Sequence, residues 1–232
     1  MKKILQSKLN NVDYTLLGCS VKGAEKELNQ DAFIIYGDDS HIICLVADGL
    51  GSAINAEIGS KAICKVAKEL ILDDGITDNF PNVLKRKWAE ELDVNPNSCD
   101  TTFKFIVVDK DEIVFGGIGD GWIIGIVDGR FFEHRNANNF SNQTESILSV
   151  GYEDRFQVVK LPYKQIQILS LATDGFSEDI ESAKVEEFIT QCLSELNNGE
   201  ETFLNHLGTM MANWPIKTNQ DDKTIIICGR NK

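Results

Sequence analysis

The sequence has no dense block of positive charge. Arginine and lysine number 23 against 36 aspartates and glutamates, a net charge of −13. The one basic cluster, Lys85-Arg86-Lys87, falls inside an expected helix and reads as a solvated face. Nucleic-acid partners are thereby excluded, because binding a phosphate backbone rests on clustered cations. Long apolar runs are also missing. Met1-Lys2-Lys3 is basic but is not followed by the apolar stretch of a signal peptide, and no run approaches the roughly 18 residues of a membrane span. The six cysteines show no C-x-x-C spacing, which argues against zinc, and several lie in apolar runs as small buried hydrophobes. A reducing, cytoplasmic compartment is the expectation. Histidine is scarce, at three residues (His41, His134 and His206), none beside an acid cluster. Repeats, low-complexity tracts and Pro/Gly/Ser linkers are lacking, so residues 1–232 are expected to form a single catalytic domain.

What is present is a run of strand-like segments broken by paired helices. Apolar residues at three- and four-residue spacing predict a helix over 52–72, and a second follows at 81–92. Strands are expected at 14–19, 42–47, 101–108, 113–117, 122–127, 130–134, 156–161, 165–172 and 224–228, with two more helices near 183–196 and 200–212. Residues 136–143 read as a loop. Strands adjacent in sequence, with helices in pairs, point to an α+β fold of antiparallel sheets covered by helices.

A lone aspartate means little among 36 acids, and Asp-Gly is a favoured turn dipeptide. Context separates the five Asp-Gly pairs. Asp128-Gly129 joins two strands as a hairpin, and Asp74-Gly75 follows a helix. The other three, Asp48-Gly49, Asp120-Gly121 and Asp174-Gly175, each end an apolar run. Asp31 opens another such run, and Asp221-Asp222 precedes the last. Carboxylates at the ends of buried strands cost several kcal/mol unless compensated, and several together repel. No comparable set of lysines or arginines stands in these segments. Divalent cations relieve both penalties, and an all-oxygen donor set suits Mg²⁺ or Mn²⁺.

These residues form ordered motifs. Gly23-Ala24-Glu25-Lys26-Glu27-Leu28-Asn29-Gln30-Asp31-Ala32-Phe33 comes first, then Val46-Ala47-Asp48-Gly49-Leu50-Gly51. Cys99-Asp100-Thr101-Thr102 and Gly119-Asp120-Gly121 follow. Leu171-Ala172-Thr173-Asp174-Gly175-Phe176-Ser177-Glu178 and Asp221-Asp222-Lys223-Thr224 close the series. In this order they resemble the protein phosphatase 2C family, across nearly the whole chain. The resemblance implies a four-layer α/β/β/α sandwich of two antiparallel sheets flanked by helix pairs. It also implies a monomeric, metal-dependent phosphatase acting on phosphoserine or phosphothreonine of a phosphorylated protein, with no membrane partner. Asp48 would bridge two Mn²⁺ or Mg²⁺ ions about 3.5–4 Å apart, and the Gly49 carbonyl would complete one ion's shell. Asp31, Asp174 and Asp221 would bind the ions directly or through water, and Asp120 would help hold a third.

Three departures from the family pattern stand out. Leu50 replaces a frequent histidine and has no proton to give a leaving group. Gln30 replaces a glutamate. Lys26 stands where arginine or histidine often holds the phosphate, with Arg130 and Arg135 as lesser alternatives. The last motif leaves open whether Asp221 or Asp222 is the ligand. A non-catalytic phosphoprotein or nucleotide sensor and a hydrolase of small phosphate esters remain competing readings. The acidic surface favours a neutral or basic phosphoprotein over an acidic one.

Overall fold

Among the described residues eleven strands form two sheets, and every adjacent pair runs antiparallel. The computed structural model describes residues 1–135, 144–216 and 218–231; the loop expected at 136–143 lies outside them. The six-stranded sheet contains β1 (Lys2–Leu9), β2 (Val12–Val21), β7 (Trp122–Val127), β8 (Arg130–His134), β10 (Ile166–Ala172) and β11 (Lys223–Arg230). They lie in the order β1-β2-β11-β10-β7-β8. The five-stranded sheet has the order β3-β4-β5-β6-β9, from Asp31–Gly37, Ile42–Asp48, Phe103–Val108, Glu112–Ile118 and Gln157–Pro162.

Three apolar layers hold four structural layers together. Phe33, Ile35, Cys44, Val46, Leu169 and Ile226 belong to the seam between the sheets. Outside the smaller sheet pack α1 (Ala56–Asp74) and α2 (Phe80–Glu91), through Ile63, Ala67, Leu70, Leu84 and Trp88. Two short helices follow, α3 (Tyr152–Arg155) and α4 (Asp174–Ser177). Outside the larger sheet lie α5 (Val185–Asn198) and α6 (Glu200–Ala212), packed through Ile189, Cys192, Leu196, Phe203 and Leu207. The central strands are covered on both faces, and so β4 reads as a continuous apolar run up to Asp48, and β5 as one interrupted by Lys104, instead of alternating. The four-layer α/β/β/α sandwich expected from the sequence is the architecture found.

Two local expectations need correction. The first helix begins at Ala56, not at residue 52. Residues 52–55 form turns, with the Ala53 N–H donating to the Leu50 carbonyl and the Asn55 N–H to the Ser98 carbonyl. Ile54, which completed the helical spacing, is 86% exposed. Strand β1 is the second difference. Its Lys-rich start hides an edge strand that pairs along its whole length with β2, through a tight turn with positive φ at Asn10 and Asn11. The turn expected at Asp128-Gly129 has the same positive-φ pair.

The register decides where the acids fall. Asp31 begins β3 and lies opposite Asp48, which ends β4. Asp120 precedes β7, Asp174 follows β10, and Asp221-Asp222 precede β11. Antiparallel pairing of β10 with both β7 and β11 brings these ends together.

Candidate metal centre

The backbone around Asp48 is clamped before its side chain is considered. The Asp48 N–H donates to Thr102 Oγ1 at 3.0 Å, and its carbonyl accepts from Thr101 Oγ1 and the Thr102 N–H, both at 2.8 Å. The next residue must be glycine, since a Cβ on Gly49 would stand 2.6 Å from the Ala56 carbonyl oxygen. The Thr101-Thr102 pair therefore aims the Asp48 carboxylate from an adjacent strand.

Across the ladder, Asp31 is buried. Its Oδ2 accepts from Thr173 Oγ1 at 2.9 Å, and the same hydroxyl accepts from the Thr224 N–H, which ties β3 to the ends of β10 and β11. The other oxygen, Oδ1, is buried and has no hydrogen-bond partner of normal geometry among the described residues. Burial, only partly offset by hydrogen bonds from Thr224 and Thr173, pushes the Asp31 carboxyl up to about 7. Asp48 is driven well above the usual carboxylate range by burial and then by Asp31, Asp174 and Asp221. Asp174 is raised too, by burial and by Asp221.

The three partly exposed acids converge. Carboxylate oxygens of Asp48, Asp174 and Asp221 all lie within 4.8 Å of one another. Asp174 opens α4, where its Oδ1 accepts from the Gly175 N–H at 2.7 Å. The two neighbouring aspartates before β11 part company. Asp222 is buried and turned inward, its oxygens accepting from the Gly23 and Gln30 N–H groups at 2.8 and 2.7 Å. It staples the 23–30 loop to the sheet, whereas Asp221 faces the cluster. A second group, within the same spacing, joins Asp120 and Asp174 to Glu178. Asp120 Oδ2 accepts from Thr144 Oγ1 at 2.8 Å.

The structure brings all the sequence-selected acids to one end of the sandwich, with Lys26 at the mouth. Lys26 Nζ lies 2.9 Å from Asp221 Oδ1 and 3.0 Å from Gln30 Oε1. Burial works against its charge, but Asp221, Asp222 and Asp48 outweigh that and raise its pKa. Arg130 sits on the β7–β8 hairpin at the opposite end, with the Asp128-Gly129 turn. Arg135 stacks over Trp122 and bonds Glu133.

Sequence reasoning missed three residues. Glu178, given no role in the sequence reading, belongs to the second acid group and is raised by burial and by Asp174 and Asp120. Lys104 is fully buried in β5, with Asp120 and Asp174 within electrostatic reach; burial brings its ammonium down to about 8. Lys223 is buried as well and donates to the Asn219 and Asp221 carbonyls. Buried lysines thus accompany the acids, though not as a set comparable to them in number. The run Phe-Lys-Phe-Ile-Val-Val held the signal for Lys104, a charge where a doubly covered strand should be apolar.

Three lysines, with Arg135 in electrostatic reach of Glu178, do not offset the seven carboxylates of Asp31, Asp48, Asp120, Asp174, Glu178, Asp221 and Asp222. An unpartnered buried oxygen, like charges held within 4.8 Å and an all-oxygen donor set fit a hard divalent cation. No histidine or cysteine belongs to either group among the described residues. Asp174, Glu178 and Asp221 of these groups line an open cleft of about 630 Å³, together with Lys26, Asp179 and Asn219.

The profile of the protein phosphatase 2C family matches residues 22–212. The chain belongs to that family. Its fold is that of family members of known structure, at low sequence identity. RsbX, solved in complex with magnesium, has a TM-score of 0.66 and 17% identity, with all of both chains covered. The catalytic domain of the serine/threonine phosphatase PstP, solved with two manganese ions, has a TM-score of 0.67 and 14% identity over 94% of this chain and 99% of that one. Stp1 of Staphylococcus aureus has a TM-score of 0.68 and 14% identity over 99% of each. No curated protein matches the sequence. No helix among the described residues is long and apolar enough to cross a membrane.

Proposed function

We propose that this chain is a cytoplasmic, monomeric serine/threonine phosphoprotein phosphatase, with residues 1–232 acting as one catalytic domain. Asp31, Asp48, Asp174, Asp221 and the Gly49 carbonyl would hold two Mn²⁺ or Mg²⁺ ions, and Asp120 would contribute to a third. Such ions, when bound, supply a nucleophilic water at neutral pH and positive charge against the phosphoryl oxygens.

The observation that carries this reading is the meeting of Asp48, Asp174 and Asp221 within 4.8 Å, from three distant parts of the chain. Buried Asp31 backs them. The remaining roles follow from the chain itself. The Thr101-Thr102 clamp and the Thr173 hydroxyl fix the acids' directions, so little reorganisation is required when ligands arrive. Lys26, poised on Asp221 and Gln30, is placed to exchange those contacts for a phosphoryl oxygen, as a point charge without a bidentate fork. Leu50 offers no proton, so esters with good leaving groups should react fastest relative to the uncatalysed reaction.

Hydrolysis of p-nitrophenyl phosphate and of a phosphothreonine peptide, with Mn²⁺, Mg²⁺ or chelator, tests the proposal. Metal-dependent turnover of both substrates is expected. Turnover that survives complete chelation rejects the mechanism. Turnover of the ester alone favours a small-ester hydrolase, and phosphopeptide binding without turnover favours a sensor.

A further inference from the structure

Asp179 lines the cleft beside the acid cluster. On the far side of that residue a second groove of about 490 Å³ opens between α5 and the segment after α6. Its apolar lining is Ile180, Phe188, Met210, Trp214, Pro215 and Ile216, and Asp179 borders both spaces. The shared wall is rigidly built. Trp214 Nε1 donates to Asp179 Oδ2 at 2.6 Å, and its ring packs against Phe176 at 5.2 Å with Lys223 Nζ 5.6 Å above it. Asn219 Nδ2 bonds the same Asp179 oxygen and the Gly175 carbonyl, which ties the wall to the loop beside Asp174.

We propose that this groove receives the peptide flanking the phosphoresidue of the substrate protein, by taking one bulky apolar side chain and, beside it, a basic one. The inference rests on the phosphatase reading above and adds a specificity determinant to it. Two observations select this occupant. The groove adjoins the cleft, Asp179 lining both, so a chain whose phosphate enters the cleft reaches the apolar wall by passing that residue. The charge around the path is negative: Glu25, Glu178 and Asp179 line the cleft, and Glu187 lines the groove. Among the described residues, the lysines that line the two spaces are engaged, Lys26 by Asp221 and Lys184 by Glu181 at 3.3 Å. A second copy of a chain at −13 would bring like charge to the same rim, whereas a basic and apolar peptide complements it.

The test compares phosphothreonine peptides that differ at single flanking positions, alanine against leucine or phenylalanine, and neutral against arginine. The Mn²⁺-loaded protein, Ile216→Asp and Glu187→Lys are each assayed by kcat/KM, with p-nitrophenyl phosphate as the control that reaches only the cleft. Ile216 is 37% exposed at the groove edge and Glu187 lies on the exposed side of α5, so both variants should fold. The unmodified protein should prefer the apolar-flanked peptide by about tenfold, the discrimination one apolar contact can supply. Ile216→Asp should lose that preference, Glu187→Lys the preference for arginine, and neither should change ester hydrolysis. Equal rates on all peptides, with ester hydrolysis intact, overturn the groove while leaving the phosphatase reading standing. If neither ester nor peptide is hydrolysed, the phosphatase reading fails, and fluorescence polarisation of the same peptides decides the groove. Tighter binding of the apolar, basic peptide, lost in the variants, supports it, and indifference to sequence overturns it.

Discussion

Aspartates mark both ends of the sandwich, but they live in different surroundings. At one end, Asp38 accepts from the Ser40 and His41 N–H groups and from the Tyr36 hydroxyl. Asp109 accepts from Asp111 and Glu112, and Asp128 from Lys164 and Gln165. Such acids complete turns. Burial opposes the charge of Asp38, yet the Tyr36 hydroxyl and the two N–H groups hold its carboxyl below the usual range. At the other end, Asp31, Asp48 and Asp174 are raised, first by burial and then by neighbouring carboxylates: Asp222 acts on Asp31, Asp221 on Asp174, and Asp31, Asp174 and Asp221 on Asp48. Acids whose close neighbours are N–H and hydroxyl donors build turns and staples, and acids whose close neighbours are other carboxylates form the site. Residue type and the glycine that follows do not separate the two classes.

The sharpest way to break that contrast is to neutralise one acid at each end. Asp48→Asn should lower turnover by about 10³-fold, the upper range for losing one electrostatic contributor, and should weaken Mn²⁺ binding by calorimetry. Asp128→Asn should leave both unchanged and cost about 1 kcal/mol of stability in urea titrations. Equal effects at the two ends would erase the distinction.

The neighbours Asp221 and Asp222 repeat the contrast within one peptide unit. Asp221→Asn should reduce turnover by about 10²-fold with little loss of stability. Asp222→Asn, which deprives the Gly23 or Gln30 N–H of its acceptor, should destabilise by about 1–3 kcal/mol and affect activity less. Reversal of this order would mean that the ligand is Asp222.

The pH dependence of the metal-free protein is a third test. The Asp31 carboxyl sits near 7 in the fold and near 4 in an unfolded chain, so the fold binds its proton more tightly. That contribution is complete below about pH 4 and is lost as pH rises through 7. With chelator present, the unfolding midpoint should therefore fall between pH 6 and pH 8. Mn²⁺ at a hundred times its dissociation constant should restore about 2.7 kcal/mol at the higher pH. A midpoint that rises over this interval, or ignores Mn²⁺, contradicts the picture of strained acids. The smallest effect expected is at Leu50. Leu50→His should raise phosphopeptide turnover severalfold while leaving p-nitrophenyl phosphate nearly unchanged, because only the alkoxide leaving group needs a proton.

Much of this was legible in the sequence. The helix Glu200–Ala212 and the strands Trp122–Val127 and Arg130–His134 have the boundaries that apolar patterning predicts. Asp31, Asp48, Asp174 and Asp221 announced themselves by flanking apolar runs, Asp48 and Asp174 at their ends and Asp31 and Asp221 at their starts. The rest was hidden for physical reasons. Strand β1 lies at a sheet edge, its first residues exposed, so its lysines obscure the alternation. Glu178 follows a helix start, where acids are common for local reasons. Whether Asp221 or Asp222 faces the cluster depends on which carboxylate meets the backbone of the 23–30 loop, two hundred residues earlier in the chain. Adjacent identical residues carry no trace of that.

The central claim is convergence onto hard cations, and anomalous diffraction from crystals equilibrated with Mn²⁺ tests it most directly. Two manganese peaks are expected on either side of the Asp48 carboxylate, within ligand distance of Asp174 and Asp221, and absent from Asp48→Asn crystals. Density without a peak among those carboxylates at millimolar Mn²⁺ would contradict the account.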